Sequence, residues 1–526
     1  MTDRFVGTGA LVRLALRRDR VRLGVWVLAL VGLVGFTGRS ITSIYTRPEL
    51  AAYARTADGN ATIVALSAPA RGLGTYGGRI AFETWQLALA FGLFGLLTVV
   101  RHTRHEEESG RAELVRAAAV GRHAHSAAAV IVAGGGALVV GLGCAAAVAA
   151  LGVGVAGAVV LGLGLTSLGW SFAAVGLLAA QVTEHGRAAT GAAVAVMGLT
   201  YLARAVGDVG NGALSWISPF GWAQAARPFA GDRLWPLGLA VVVGAAVVAL
   251  ALAVEARRDV GAGLVRPRPG PAVASSGLAS PWGLAWRLQR STLAAWAFGA
   301  ALLGVAMGSV AHSADDLVGD NQQIRDYLAS VSGAGLADVF LATVLVYLAL
   351  LASGFAVQAT LRARAEEAAG RAEALLATAT SRRAWAGGHL AVAAGGGVVV
   401  LVVSAAAMGL AHGVAVGDPG QVLRLTVAAA AFVPALLVTV GVAAAVVGGW
   451  PRAAPLAWAV VAVATVVGVL GDGLGLPAGV RDLSPFAHVP SVPAAPVAWT
   501  PLALTTVVAV VLVGVGAVAL DRRDIG

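Results

Sequence analysis

The chain contains no lysine. A phosphate-binding loop of the form G-x-x-x-x-G-K-[ST] needs a lysine on the β- and γ-phosphates, so the sequence encodes no ordinary ATP site of its own. Lysine Schiff-base chemistry is excluded on the same ground. The single cysteine, Cys144, rules out a disulfide or a cysteine metal site within the chain and suits a small helix-packing role in its apolar Gly/Ala run. Charged residues are scarce at 12% and aromatics make up only 6%. The net charge of +10 therefore carries no nucleic-acid signature, because no aromatic-interleaved basic patch accompanies it. His102, His105, His123 and His125 gather around one loop but show no H-E-x-x-H spacing; solvated or headgroup positions are expected for them. Nor is there a pair of catalytic carboxylates at a membrane surface or a nucleophile with a base, which argues against an enzyme of bond chemistry.

What the chain has instead is apolar length. Hydrophobic residues make up 58% of it and mean hydropathy is +0.81, too apolar for a water-soluble fold of this size. Runs reaching the ~20 residues that span a bilayer fall at about 22–38, 81–100, 124–151, 156–182, 189–206 and 234–254, then again at about 291–310, 339–358, 386–412, 423–449, 453–471 and 499–520. Lipid offers backbone groups no hydrogen bonds, and the runs are continuous rather than alternating, so the spans are read as helices and not barrel strands. An all-α polytopic membrane protein with twelve transmembrane helices follows. Its expected divisions are a first six-span unit over residues 1–256, a cytoplasmic linker with a second interfacial helix over 257–285, and a second six-span unit over 286–526.

Arginine clusters at 13–22, 101–122, 257–268, 287–290, 362–383 and 522–523 would all face the cytoplasm if both termini do, which is the positive-inside pattern. Leu11–Arg22 interleaves arginine with leucine and reads as an amphipathic interfacial helix carrying Arg17 and Arg20, rather than a cleaved signal. Arg287 and Arg290 answer them before the seventh span. Tryptophans near span ends, Trp26, Trp85, Trp235, Trp296 and Trp499, read as interface anchors. Glu83 and Gln86 are placed at a solvated interface; Arg204 with Asp208 reads as a local pair or, preferred, as part of a structural turn leading to a Ser-Pro-Phe element, and Gly207-Asp208 is echoed by Gly471-Asp472. The sequon Asn60-Ala61-Thr62 is too short to carry weight.

One charged motif occurs twice, each time after the second span of a half. Arg104-His-Glu106-Glu107-Glu-Ser-Gly110-Arg111-Ala-Glu113 returns 260 residues later as Arg364-Ala-Glu366-Glu367-Ala-Ala-Gly370-Arg371-Ala-Glu373. Other places match as well: Ile217-Ser-Pro-Phe220 with Leu483-Ser-Pro-Phe486, and Arg257-Arg-Asp-Val-Gly261 with Arg522-Arg-Asp-Ile-Gly526. An even number of spans separates the copies, so the halves are parallel six-helix repeats, with a pseudo-twofold axis along the membrane normal. The glycine marks a helix break, and Glu113 falls in the first turn of the next helix, where the helix dipole favours it. Two readings remain open for the glutamates. They pair with Arg104, Arg111 and Arg116 on a solvated face, or they form a docking surface used twice.

These features, E-E-x-x-G-[RT]-x-E after span two and an arginine-rich helix before span one of a six-span unit, resemble the ABC-2 type exporter permeases. The fused two-unit form is similar to the branch linked to export of polyketide-type antibiotics. The resemblance implies that Glu106, Glu107, Gly110, Arg111 and Glu113, with Glu366, Glu367, Gly370, Arg371 and Glu373, form coupling loops that seat on a separate ATPase, expected in two copies and carrying the ATP and Mg. It also implies a bacterial plasma-membrane location, no cofactor on this chain, and a hydrophobic or amphipathic small-molecule cargo. Ala368-Ala369 replace Glu108-Ser109 in the second copy, so the two loops differ as docking surfaces. An ion-coupled secondary transporter is the alternative, since twelve spans in two parallel repeats also describe the major facilitator architecture. The G-x-x-x-D-R-x-G-R-R-like loop and buried coupling carboxylates of that family are not evident here.

Overall fold

The computed structural model describes residues 2–58, 64–65, 67–259, 261–265, 272–311, 335–470 and 477–522. The Asn60 sequon, the Gly471-Asp472 echo, residues 312–334 and residues 523–526 of the terminal repeat match lie outside them. The chain forms two compact units, Met1–Gly270 and Pro271–Gly526.

In the first unit the helices are α1 (Thr8–Ile44), α2 (Arg47–Asp58), α3 (Tyr76–Gln86), α4 (Ala88–Arg101), α5 (Arg104–Glu108), α6 (Arg111–Arg116), α7 (Ala124–Ala149), α8 (Val155–Val182), α9 (Gly186–Val209), α10 (Pro219–Ala225) and α11 (Trp235–Glu255). The second unit has α12 (Pro281–Val310), α13 (Leu336–Ala368), α14 (Arg371–Leu376), α15 (Arg382–Val416), α16 (Gln421–Ala430), α17 (Val433–Gly449), α18 (Trp458–Leu470), α19 (Ala478–Arg481) and α20 (Trp499–Arg522). No strand occurs among the described residues; the one β-bridge joins Thr183 to Val265.

Nine described helices are long and apolar enough to cross a membrane, and two bent pairs raise the number to as many as eleven. The expected run at 453–471 is met by a shorter apolar helical stretch, Pro451–Val467. One bent pair, α16 and α17, turns by 40°. Pro434 sits at the start of α17, where its ring excludes the carbonyl of Ala430 four residues earlier and removes one backbone donor, so the helix must break there. The other, α3 with α4 and α5, turns by 49° near Leu87. Thr84 Oγ1 donates to the Ile80 carbonyl at 2.7 Å just before that turn, a back-bond that bends helices.

The same partners pack in both units. α1 lies on α7 as α12 lies on α15, and α8 lies on α11 as α17 lies on α20. The Ser-Pro-Phe elements are also alike: Ser218 accepts from the Phe220 N–H at 3.2 Å and Ser484 from the Phe486 N–H at 3.3 Å, and both phenylalanines are buried. The interfacial stretch Leu11–Arg22 is not a separate helix but the first turns of the 37-residue α1. At ~1.5 Å per residue that helix is roughly 55 Å long, against about 30 Å of hydrocarbon, so much of it stands outside the lipid core.

Packing inside the first unit relies on close backbone approach. A Cβ built on Gly95 of α4 would stand 2.0 Å from the Gly169 carbonyl of α8, the small-residue contact that substitutes for the hydrophobic effect between helices in lipid. Gly95→Ala is expected to lower stability by about 1–3 kcal/mol, the usual cost of overpacking. Gly198→Ala on α9, with open space around it, should be neutral or gain up to ~1 kcal/mol of helix propensity. Melting temperatures in detergent would separate the two, and equal values would discount the contact.

Candidate functional site

Each unit turns its chain at the repeated loop in the same way. A helix ends, a glycine adopts the left-handed region (φ 72° at Gly110, 69° at Gly370), and a six-residue helix follows, α6 or α14. A side chain at either glycine would strain the backbone, which accounts for glycine at both positions. Gly110 N–H donates to the Glu107 carbonyl at 3.1 Å and Gly370 N–H to the Glu367 carbonyl at 2.8 Å.

The glutamates of the motif divide into two sets. Glu106 and Glu107 turn inward. Glu106 is held by both terminal nitrogens of Arg18 at 2.6 and 2.9 Å, with Arg111 at 3.9 Å. Glu107 accepts from Arg104 at 2.7 Å and from both terminal nitrogens of Arg258 at 2.7 and 3.1 Å. Arg104 is fully buried and also donates to the carbonyls of Ala180 (3.0 Å), Gly261 (3.3 Å) and Ala262 (3.1 Å). Arg258 continues the network to Gln181 Oε1 at 2.7 Å. The C-terminus of α8, where carbonyls lack helical partners, is thereby closed by cations. Fork-to-carboxylate geometry with buried carbonyl acceptors is what makes such pairs hold in low dielectric. Gly261 and Ala262, within the expected linker of 257–285, are thereby tied to the first unit.

Asp19, one residue along α1, reinforces this. Arg101 donates to it at 2.6 and 3.0 Å, and His102 Nε2 lies 3.2 Å away. Thus α1 contributes an arginine to the loop's glutamate and receives the loop's arginine on its own aspartate. Arg17 and Arg20, the residues singled out from sequence, are exposed; their neighbours Arg18 and Asp19 make the contact. The expected solvated positions of His102 and His123 are corrected. Both are buried, His102 against Asp19 and His123 against Glu255 at 2.8 Å, with Ser126 donating to the same carboxylate at 3.0 Å. Trp85 is likewise buried and is no interface anchor, whereas Trp235 and Trp499 are well exposed.

In the second unit the loop is satisfied more locally. Glu366 is bound by Arg362 at 2.6 Å and by Arg371 at 2.6 and 3.1 Å; Glu367 accepts from Arg364 at 3.0 Å. The Glu366 pairing holds the Arg371 guanidinium above its ordinary pKa, so it stays charged. At the positions that correspond to Arg18 and Asp19 stand Leu288 and Gln289, and Gln289 is buried against His389 at 3.3 Å. Arg287 and Arg290 are exposed.

What each loop offers to the outside is consequently α6 or α14: Arg111, Glu113 and Leu114 (78% exposed) in the first unit, Arg371, Glu373 and Ala374 in the second. No group of three metal-ligating side chains occurs among the described residues.

Residues 278–520 match the family described as "Multidrug efflux system permease Rv1217c, C-terminal domain". Over its full length the chain is similar to the multidrug efflux system permease protein Rv1217c of Mycobacterium tuberculosis, with 40% identity over 529 residues, covering 99% of this chain and 96% of that protein. With its apolar spanning helices and a relationship that extends through both units, the chain is a multi-pass membrane protein and belongs to this family of efflux permeases.

Proposed function

We propose that the chain is the membrane subunit of an ATP-driven exporter of the ABC-2 type: two six-span units, twelve spans in all, moved by a separate pair of ATPase subunits that dock on α6 and α14. The observation that carries this reading is the loop built twice, helix, left-handed glycine and short helix, with an arginine and a glutamate exposed at the same places in both units. A chain without lysine must draw ATP energy from a partner. Closure of the partner would bias the two units between conformations through rigid-body movement at these loops. Both termini and both loops are then cytoplasmic. The cargo is a hydrophobic or amphipathic small molecule of the polyketide-antibiotic kind, for which the relative's description as a multidrug efflux permease is the support.

Affinity purification of the intact chain from its native membranes tests this. Recovery of a soluble P-loop ATPase at about two copies per chain is the expected result. A chain that purifies alone and moves substrate down a proton gradient in liposomes would overturn it in favour of an ion-coupled transporter.

A further inference from the structure

We propose that the first unit carries, at the end opposite its acidic loop, a receptor site for the anionic head, carboxylate or phosphate, of an amphipathic molecule, with Arg71 and Arg227 as its cationic walls. The two arginines line one cleft together with Gln224, Phe82 and Trp85. The cleft is about 300 Å³ with its open mouth included and narrows inside to water-sized room, so a head group would sit in the mouth beside the arginines.

Charge bookkeeping sets this end apart. Its carboxylates are already committed: Glu83 to Arg79 at 2.7 Å, Asp208 to Arg204 at 3.3 Å and to Ser215 at 2.7 Å, and Asp232 to the Phe229 N–H at 2.8 Å. Asp208, so held, acts on Arg71 only as a neighbouring charge. Burial, and then the neighbouring charge of Arg227, lower the pKa of Arg71, with a partial offset from the Asp208 carboxylate. Arginine is selected against on the outer side of a membrane protein, the side this end takes if the acidic loops are cytoplasmic. Arg71 and Arg233 are exposed here and Arg227 is half-buried, so their charge stands open to an anion supplied from outside the chain. The guanidinium fork matches both carboxylate and phosphate.

The cleft is also shaped for a ligand with more than charge. Gln224 is buried, donates from Nε2 to the Ser67 carbonyl at 2.8 Å, and leaves Oε1 with no partner. That acceptor suits a head-group hydroxyl or a protonated phosphate oxygen. Phe82 and Trp85 supply an apolar wall for the adjoining carbon chain. Arg227 is presented from a turn in which Arg227, Phe229 and Asp232 all have φ between 44° and 61°. A Cβ on Gly77 or Gly157 would strike the Phe229 ring at 2.3 Å, so the ring fills the space those glycines leave and fixes the turn. The second unit has Pro490 and Pro493 where Gln224 and Arg227 stand, counting from the shared Ser-Pro-Phe element.

The test uses the full chain in neutral detergent at low salt, with dodecanoate and dodecyl phosphate as probes and dodecyltrimethylammonium as the cationic control, read by calorimetry. The wild type is expected to bind the anions at least tenfold more tightly than the cation, with a preference that falls as salt rises. Arg71→Gln/Arg227→Gln should lose the preference, and Arg71→Lys/Arg227→Lys should keep part of it. Equal binding of anion and cation by the wild type, or an undiminished preference in the glutamine variant, would overturn the proposal; the wild-type comparison decides even if the variant fails to fold. Repeating the titration in nanodiscs distinguishes the sources. Competition by phosphatidylglycerol identifies a lipid head group as occupant, and its absence identifies a free amphipathic anion. Neither arm involves an ATPase, so the result is independent of the exporter reading.

Discussion

Glu107→Ala should destabilise the first unit by about 3–5 kcal/mol, the cost of leaving buried cations without their anion. Two guanidinium groups lose the carboxylate they are paired with at once: Arg104, fully buried, and Arg258, whose side chain is 5% exposed. Neither can turn to water, because Arg104 is also pinned to three carbonyls and Arg258 to Gln181. The expected observation is a large fall in melting temperature in detergent, accompanied by release of residues 261–265 from the end of α8, which increased protease cleavage near Ala262 would report. Glu113→Ala, by contrast, removes an exposed side chain and should change stability by no more than ~0.5 kcal/mol. Equal melting temperatures for the two variants would mean that the network is not holding the loop.

Charge reversal at Glu113 and Glu373 together should remove the proposed ATPase partner without unfolding the chain. These two carboxylates occupy the first turns of α6 and α14, exposed at matching places, and a partner that fits both must present cationic or donor groups to them. In a docked complex a reversed charge meets a like charge with water excluded, a penalty of several kcal/mol per site. Co-purification of the ATPase with Glu113→Arg/Glu373→Arg is therefore expected to drop at least tenfold, while elution profile and melting temperature stay those of the wild type. A single reversal should retain partial association. Undiminished recovery in the double variant would remove α6 and α14 as the docking surface. Reversal at Glu107 cannot serve this purpose, because its first effect is on the fold.

The apolar spans were legible because the constraint that creates them is local: about 20 consecutive apolar residues, read directly along the chain. The loop's conformation was legible for the same reason, since Gly110 and Gly370 announce their own break. The pair Arg204 with Asp208, four residues apart on one helix, was the less favoured of two readings and lies at 3.3 Å. What stayed hidden was who holds the glutamates. Arg18 is 88 residues from Glu106 and Arg258 is 151 from Glu107, and no spacing rule joins positions so far apart. Arg18 and Arg17 are neighbours with the same side chain, and only the direction in which α1 meets α4 decides which faces the loop. The histidines misled for a related reason: His102 and His123 sit in charged sequence, yet each packs onto a carboxylate from a distant helix. The arginine pair Arg71 and Arg227 was likewise invisible, being assembled from two loops.

The helix leading into each loop sets how motion would pass through the two units. α13 runs unbroken for 33 residues from Leu336 to the second loop, close to 50 Å of continuous hydrogen-bonded rod. A push at its lower end arrives at its upper end almost undiminished. The first unit offers instead a jointed strut, bent by 49° near Leu87 and interrupted again at His102-Thr103, but bolted sideways to α1 through Arg18 and Asp19. The same push there would pass partly into a neighbouring helix. A homodimer would oblige both halves to use one linkage, since an isologous pair shares every residue. Joining the halves in a single chain lifts that obligation, so that, on the exporter reading proposed above, one symmetric stroke would become two unequal displacements.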